Sequence, residues 1–431
     1  MTPTPRPAER SDRVDQALEH VYRSDRGRVL ARLMAVLRDF DLAEDALQDA
    51  VVSARSAWRT GGVPDNPAGW LVTTARRKAL DRIRRAASAD RRHRAWAELA
   101  IAWDPPEPVG PIRDDRLRLI FICCHPALPM EARVGLTLRS IGGLTTPEVA
   151  RAFLIPEPTL AQRLVRAKRK IRESGIGYRV PDRDELPGRL GGVLAVIYLI
   201  FNAGYLASSG TELIRVDLCD EAIRLSDLVT ELLPDEAEPW GLAALLRFQH
   251  SRRSARTGPE GQPLTLEEQD RRRWDAQMIL AGATRLGRVR DQGPPGPYQL
   301  QAEIAAVHAG TDEPTATDWG RIVALYDQLV SWDPTPVVRL NRAVAVAMAE
   351  RPESGLALLD APDLAMALSN YHLFHLTRAD LLRRAGRLDE AVGAYEEAAR
   401  HTDNSVERAF VQRRLVEVAD RRNAADGPRP S

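Results

Sequence analysis

The chain has 431 residues, 44% of them hydrophobic and 28% charged, with aromatics at 5%. This is the composition of a soluble chain long enough for two or three domains, and it excludes a disordered or fibrous class. The net charge of +1 hides an asymmetry: residues 1–175 carry 31 Lys/Arg against 22 Asp/Glu, and residues 176–431 carry 30 against 38. A basic part joined to an acidic part points to a polyanionic partner for the first.

In chain order, the opening MTPTPRPAERSDR is polar and Pro-rich, unlike a secretory signal. Residues 12–99 are expected to be helical, because Leu30, Leu33, Met34 and Leu37, then Ala43, Ala46, Leu47, Ala50, Val51, Ala54 and Trp58, recur at helical spacing. The stretch 60–69 breaks the pattern, and a further helical run covers Trp70 to about Arg85. Residues 102–112 are Pro-rich and read as an extended tether. A second helical block spans 113–175, a junction with Pro181 and Pro187 follows, and a long helical block runs over 189–422. No run alternates as strands do, so the fold class is all-α. The expected domains are 1–101, 113–175 and 176–431, with 102–112 as linker.

Leu190 to Thr211 is free of charge over 22 residues, long enough to span a membrane. Its glycines, Asn202 and serines, with no one-sided positive flank, favour a buried core helix. Cys123, Cys124 and Cys219 are too few for a disulfide framework and fit a reducing cytoplasm. The Cys123-Cys124-His125 run lacks the spacing of zinc ligands, so neither metal nor cofactor is expected. In the last block Gly386, Glu390, Ala391, Tyr395 and Ala398 fit the frame of a tetratricopeptide helical hairpin. Asp220-Glu221-Ala222 with Leu233-Pro234 and Trp240 fits the same frame; generic amphipathic hairpins are the other reading.

Three segments carry recognition chemistry. Residues 144–172 read as a helix-turn-helix: Thr145 and Glu148 form a capping-box pattern, and the turn falls at Leu154-Ile155-Pro156. On the second helix Leu160, Leu164, Ala167 and Ile171 mark the inward face. Thr159, Gln162, Arg163, Arg166 and Lys170 point outward, where Gln and Arg suit base edges, while Lys168, Arg169 and Arg172 suit phosphates. The second segment is basic: nine Lys/Arg against two Asp lie between Arg76 and Arg94, with Trp70 at its start. Such a helix can hold a separated strand and stack an unpaired base. The third is acidic: Asp39, Asp41, Glu44, Asp45, Gln48 and Asp49 crowd one helix and its entry. Acid in a basic domain repels DNA, so this face should meet a protein, although helix N-terminal charge preference explains part of it.

At these residues the chain resembles the sigma-70 superfamily of transcription initiation factors. Asp41 to Asp49 is similar to the polymerase-binding helix of region 2, Pro67 to Arg85 to the following −10 element helix, and 144–172 to region 4, which reads the −35 element. The order and the short linker resemble the extracytoplasmic-function (ECF) group, and the extension, with Leu340-Asn-Arg-Ala-Val-Ala345, resembles its subgroup with a tetratricopeptide-like C-terminal domain. The resemblance implies core RNA polymerase (β′ clamp and β flap) and promoter DNA as partners. It implies polymerase contacts at Asp41, Glu44, Asp45, Gln48 and Asp49. It implies −10 contacts at Asn66, Trp70, Arg76, Arg77, Lys78, Arg82, Arg84 and Arg85, and −35 contacts at Thr159, Gln162, Arg163, Arg166, Lys168, Arg169 and Lys170. Arg77 stands where many relatives have Asn, so no −10 sequence transfers. A cytoplasmic, membrane-free location follows, as does a C-terminal domain that regulates, either by folding over the sigma domains or by bracing them.

Two other functions fit parts of the chain. A helix-turn-helix repressor explains 144–172 but not the acidic face, and a tetratricopeptide scaffold explains 189–422 alone. No Gly-rich phosphate loop, metal pattern or nucleophile–His pair points to an enzyme.

Overall fold

The computed structural model describes residues 7–21, 25–37, 39–86, 112–173, 181–205, 214–259, 262–402 and 405–425. They are helical throughout, with one isolated bridge between Thr257 and Pro263. The expected linker 102–112 and Arg91, Arg92 and Arg94 fall outside them, apart from Ile112. The chain divides into two compact units, Met1–Ile200 and Phe201–Ser431.

In the first unit, α1 (Pro7–His20), α2 (Arg26–Leu37), α3 (Phe40–Gly61) and α4 (Pro67–Ala86) pack on one another. Asp39 starts α3 by accepting from the Leu42 amide at 3.1 Å, and Gly62, at φ 83°, ends it. Its inward column Ala43, Ala46, Ala50 and Ala54 is fully buried, with Phe40, Leu47 and Trp58 filling the gaps. Small side chains let α3 approach α2, which contributes Leu30, Leu33 and Met34.

Four helices follow: α5 (Asp115–Cys123), α6 (Met130–Ser140), α7 (Thr146–Ala152) and α8 (Glu157–Glu173). Thr145 and Glu148 close the capping box at the start of α7: the Thr145 amide donates to Glu148 Oε2 at 2.7 Å. The turn into α8 holds Leu154 at φ 53°, a left-handed conformation that disfavours a branched residue. The apolar helix α9 (Pro187–Tyr205) is long enough to cross a membrane, but more than half of it is buried in protein. Its first turns belong to the first unit: Arg189 donates to the Phe121 carbonyl at 3.0 Å, and Gly192 faces the Cys124 side chain. The two compact units meet at Ile200, inside α9, while the domains expected from the sequence meet at 175/176. Cys123 and Cys124 are buried at the end of α5, and burial pushes the Cys124 thiol up to about 12, so it stays protonated.

The second unit holds α10 (Val216–Leu232), α11 (Ala237–Ser251), α12 (Ala276–Val289), α13 (Pro297–Ala309), α14 (Trp319–Trp332) and α15 (Pro336–Ala349). It continues with α16 (Pro352–Leu359), α17 (Pro362–Ala367), α18 (His372–Arg384), α19 (Leu388–Arg400) and α20 (Ser405–Ala425). Proline opens four of these helices, where its missing N–H costs nothing. Packing runs mainly between sequence neighbours. Gly386, at φ 75°, makes the turn from α18 to α19, and Ala391, Tyr395 and Ala398 face inward from α19. A cross-brace joins α11 to α13: Glu238 accepts from the Tyr298 amide at 2.9 Å and the Gln299 amide at 3.2 Å.

Candidate nucleic-acid and partner interface

The outward face of α8 is laid out as its periodicity dictates. Leu160, Leu164, Ala167 and Ile171 are buried, while Thr159, Gln162, Arg163, Arg166, Arg169 and Lys170 are exposed. Arg163 and Arg166 meet no carboxylate among the described residues. Lys170 is engaged, donating to the Ala127 carbonyl at 2.6 Å. Lys168, expected at a phosphate, is paired with carboxylates in the free chain. Its ammonium lies 3.0 Å from Asp41 and 2.8 Å from Glu44 on α3. Burial works against the charge, but the two carboxylates outweigh it and hold Lys168 above the ordinary lysine range.

The basic helix α4 starts at a cleft of about 720 Å³ lined by Pro64, Asn66, Trp70, Thr73, Arg76 and Arg77, among others. Asn66 caps the helix: its side-chain oxygen accepts from the Gly69 amide at 2.9 Å, and a side chain on Gly69 would strike Asn66. Trp70 stands edge-on to the buried Trp58, ring centroids 5.5 Å apart, with the rest of its ring half-exposed at the cleft. This is a fixed aromatic wall beside cations, suited to an unstacked base. Arg77 is exposed, Lys78 half-buried, and Arg85 turns back onto the Asp81 carbonyl; the Arg84 side chain lies outside the described residues. Arg82 departs from the expected strand contact. It lies across α3, 2.5 Å from Asp45 and 2.8 Å from Asp49.

The acidic face of α3 is thus occupied at both ends by cations of the two basic elements, Lys168 on Asp41 and Glu44 and Arg82 on Asp45 and Asp49. Gln48 remains exposed. A residue the sequence reading missed, Arg26 at the start of α2, ties the same face to the helix-turn-helix. It is 5% exposed and donates to the Arg139 carbonyl at 2.9 Å, the Ser140 carbonyl at 3.0 Å and Glu44 at 3.3 Å. Beside it a Cβ on Gly27 would lie 2.4 Å from the Ile141 carbonyl oxygen, so only glycine allows this approach. No signal in the sequence pairs Arg26 with residues more than a hundred positions away.

Only one group of side chains among the described residues has the makings of a metal site: His375, Glu397 and His401, with donor atoms within 4.8 Å of one another. The two imidazole rings are stacked at 5.2 Å and 11°, which directs their in-plane lone pairs side by side rather than at one ion, and Glu397 already pairs with Arg400.

Family comparisons agree with this geometry. Residues 21–89 match Sigma-70 region 2, 118–171 match Sigma-70 region 4, and 189–290 match a family of unknown function, DUF6596. An uncharacterized protein of Rhizobium meliloti (strain 1021) is 41% identical, covering 92% of this chain and 94% of its own length. The ECF RNA polymerase sigma factor SigK of Mycobacterium tuberculosis (strain ATCC 25618 / H37Rv) is 30% identical over 36% of this chain and 84% of its own length. No solved structure matches. Three helical elements, in this order and with these faces, define a transcription initiation factor of the sigma-70 class. The chain belongs to the ECF RNA polymerase sigma factors, and carries in addition a helical C-terminal unit that SigK's match does not reach. It binds core RNA polymerase and promoter DNA and is a transcription factor, not an enzyme.

Proposed function

We propose that α3 docks on the β′ clamp through Asp41, Glu44, Asp45, Gln48 and Asp49. The cleft at Asn66 and Trp70, with Arg76 and Arg77, holds the separated −10 strand, and Thr159, Gln162, Arg163 and Arg166 read the −35 element. The helix-turn-helix block also meets the β flap, and the protein works in the cytoplasm where polymerase is. The observation that carries this reading over a plain helix-turn-helix repressor is the row of carboxylates along one face of α3, inside a unit that also holds the basic helices α4 and α8. A DNA-only protein gains nothing from it, since carboxylates repel phosphate.

The C-terminal unit, tetratricopeptide-like in its Gly386–Ala398 frame, is a regulatory domain in this reading. Lys168 and Arg82 give the free factor a closed pairing in which polymerase-binding acids and DNA-binding cations satisfy one another, so docking on polymerase frees both sets.

The test is core binding by an Asp45→Arg/Asp49→Arg variant. Losing two complementary interfacial charges and gaining two opposed ones should cost about 2–5 kcal/mol of core affinity, with the helical circular-dichroism signal unchanged because both carboxylates are surface groups. Wild-type affinity for core polymerase in the folded variant rules the assignment out.

A further inference from the structure

The arginines of the C-terminal unit are, as a rule, paired with carboxylates. Arg247 and Arg285 share Asp227, Arg253 meets Asp275, Arg384 meets Asp380 and Glu267, and Arg414 meets Glu268 and Glu417. Three close neighbours are among the exceptions. Arg252, Arg256 and Arg271 lie within ion-pair distance of no carboxylate among the described residues, although the unit as a whole is acidic. They are not scattered. The Arg252 guanidinium lies 5.8 Å from the Tyr205 ring centroid and 5.7 Å from that of Trp274; Arg256 lies 3.6 Å from Tyr205, and Arg271 lies 5.2 Å from Trp274. Two aromatic plates thus hold three guanidinium groups together.

Burial makes the arrangement costly. Arg256 and Arg271 are each 7% exposed, and a buried charge needs a counter-charge as well as hydrogen bonds. Their acceptors are neutral. Arg256 donates to the Tyr205 carbonyl. Arg271 donates to the His308 carbonyl at 2.9 Å, the Thr311 carbonyl at 3.0 Å and the Thr317 hydroxyl at 3.0 Å. Arg252 donates to the Tyr205 hydroxyl at 2.7 Å and to the Gln249 side-chain oxygen. At longer range Asp312 and Glu313 act on Arg271 and Glu407 on Arg256, and Glu407 is already held by Thr402 and His372.

A second, independent observation lies in the same cluster. The Nε of Arg271, the indole N–H of Trp274 and Nδ1 of His308 are buried and have no partner. Burial first, then the field of Arg252 and Arg271, pushes His308 down to about 3.

We propose that Arg252, Arg256 and Arg271, gathered around Tyr205 and Trp274, form a binding site for a small multi-oxygen anion, a phosphorylated or polycarboxylate metabolite. Guanidinium groups present planar paired donors that match such oxygens, and Trp274 adds a neutral donor. A small ligand is required because two of the three cations are too buried for the phosphates of a nucleic-acid strand. Arg252, half-buried, stands on the accessible side. The site lies outside both sigma regions, so it gives the C-terminal unit a chemical input of its own.

Isothermal titration of the full chain at constant ionic strength tests this, with inorganic phosphate and citrate as probes and chloride as the balancing salt. Saturable binding of either probe is expected, and the tighter one shows whether the source is phosphoryl or polycarboxylate. Arg252→Gln should weaken that binding about tenfold or more, the share of one charge-assisted contact. Trp274→Phe keeps an aromatic face beneath Arg252 and Arg271 but removes the indole N–H together with the second ring. It should weaken binding by a smaller factor, and it decides the matter if Arg252→Gln loses helical signal. Absence of saturable heat with both probes, or affinity unchanged in both folded variants, overturns the proposal whatever the fate of the promoter reading.

Discussion

Arginine serves opposite ends in the two units. On α8, Arg163 and Arg166 stand in solvent with no carboxylate near them among the described residues. In the C-terminal unit, Arg256 and Arg271 are buried against aromatic rings, also without a carboxylate. An exposed unpaired arginine costs little to maintain and is ready for a polymer that approaches from outside. A buried unpaired one is costly until an anion small enough to enter supplies the missing charge. Between these extremes lies Arg82, exposed but laid across Asp45 and Asp49. Counting basic residues along a chain therefore overstates its DNA footprint, and the partner of each cation decides its role.

On DNA affinity the largest expected effect comes from the exposed pair. Arg163→Ala or Arg166→Ala should cost about 1–3 kcal/mol in −35 DNA affinity and relax discrimination at one base position, as loss of a bidentate base contact does. Arg82→Ala should leave −35 binding unchanged, since its guanidinium is on α3. Filter or anisotropy titrations against a panel of single-base variants read both. Equal losses on every sequence for Arg163→Ala move that residue to the phosphates and blunt the contrast with Arg82.

The buried cluster offers a pH-dependent effect. His308 has an ordinary value of 6.5 and is pushed to about 3 in the folded chain. The unfolded chain therefore takes up a proton between these values while the folded chain does not. Stability is fully present above pH 6.5 and falls as the pH drops towards 3, by at most about 1.4 kcal/mol per pH unit. Urea unfolding at pH 7 and pH 5 checks this, because His308→Gln should flatten the slope. A slope unchanged by the substitution assigns the pH response to another group.

The sequence made the helices and their faces legible because their signals are local. The Thr145–Glu148 box, the inward column of α8 and the alanines of α3 are separated by one or two helical turns, and each stands where periodicity put it. The apolar run over 190–205 read as a buried helix for the same reason: glycine and asparagine within it suit a protein interior. What the sequence could not carry is pairing at a distance. Arg82 meets residues 33 and 37 positions away, Lys168 meets residues 124 and 127 away, and Arg26 reaches carbonyls 113 and 114 away. Charge patterning gave Arg82 and Lys168 to DNA and the carboxylates they meet to polymerase, and gave Arg26 no role. The Arg252–Arg271 cluster escaped for a further reason: arginine reads as a surface residue until neighbouring rings are known to cover it.

The smallest effect sharpens the comparison most, because it separates what a cation does in the free factor from what it does on the promoter. The Lys168 ammonium is shared by Asp41 and Glu44, at 3.0 and 2.8 Å. The pair is half-buried, and losing it should cost the free chain on the order of 1 kcal/mol, so Lys168→Ala should shift its unfolding midpoint only modestly. While that pairing lasts, Lys168 neutralises carboxylates instead of phosphates and releases no DNA counterions. The slope of log affinity against log salt for the free chain should thus be the same in the variant as in wild type. On the proposed docking the carboxylates of α3 face the polymerase in the complex, and Lys168 becomes available to the DNA backbone. There Lys168→Ala should flatten the slope by about 0.9, the share of one phosphate contact. A flatter slope in both states would show that the pairing with α3 yields to DNA unaided. An unchanged slope in both would remove Lys168 from the DNA interface and leave it as a clasp between α8 and α3.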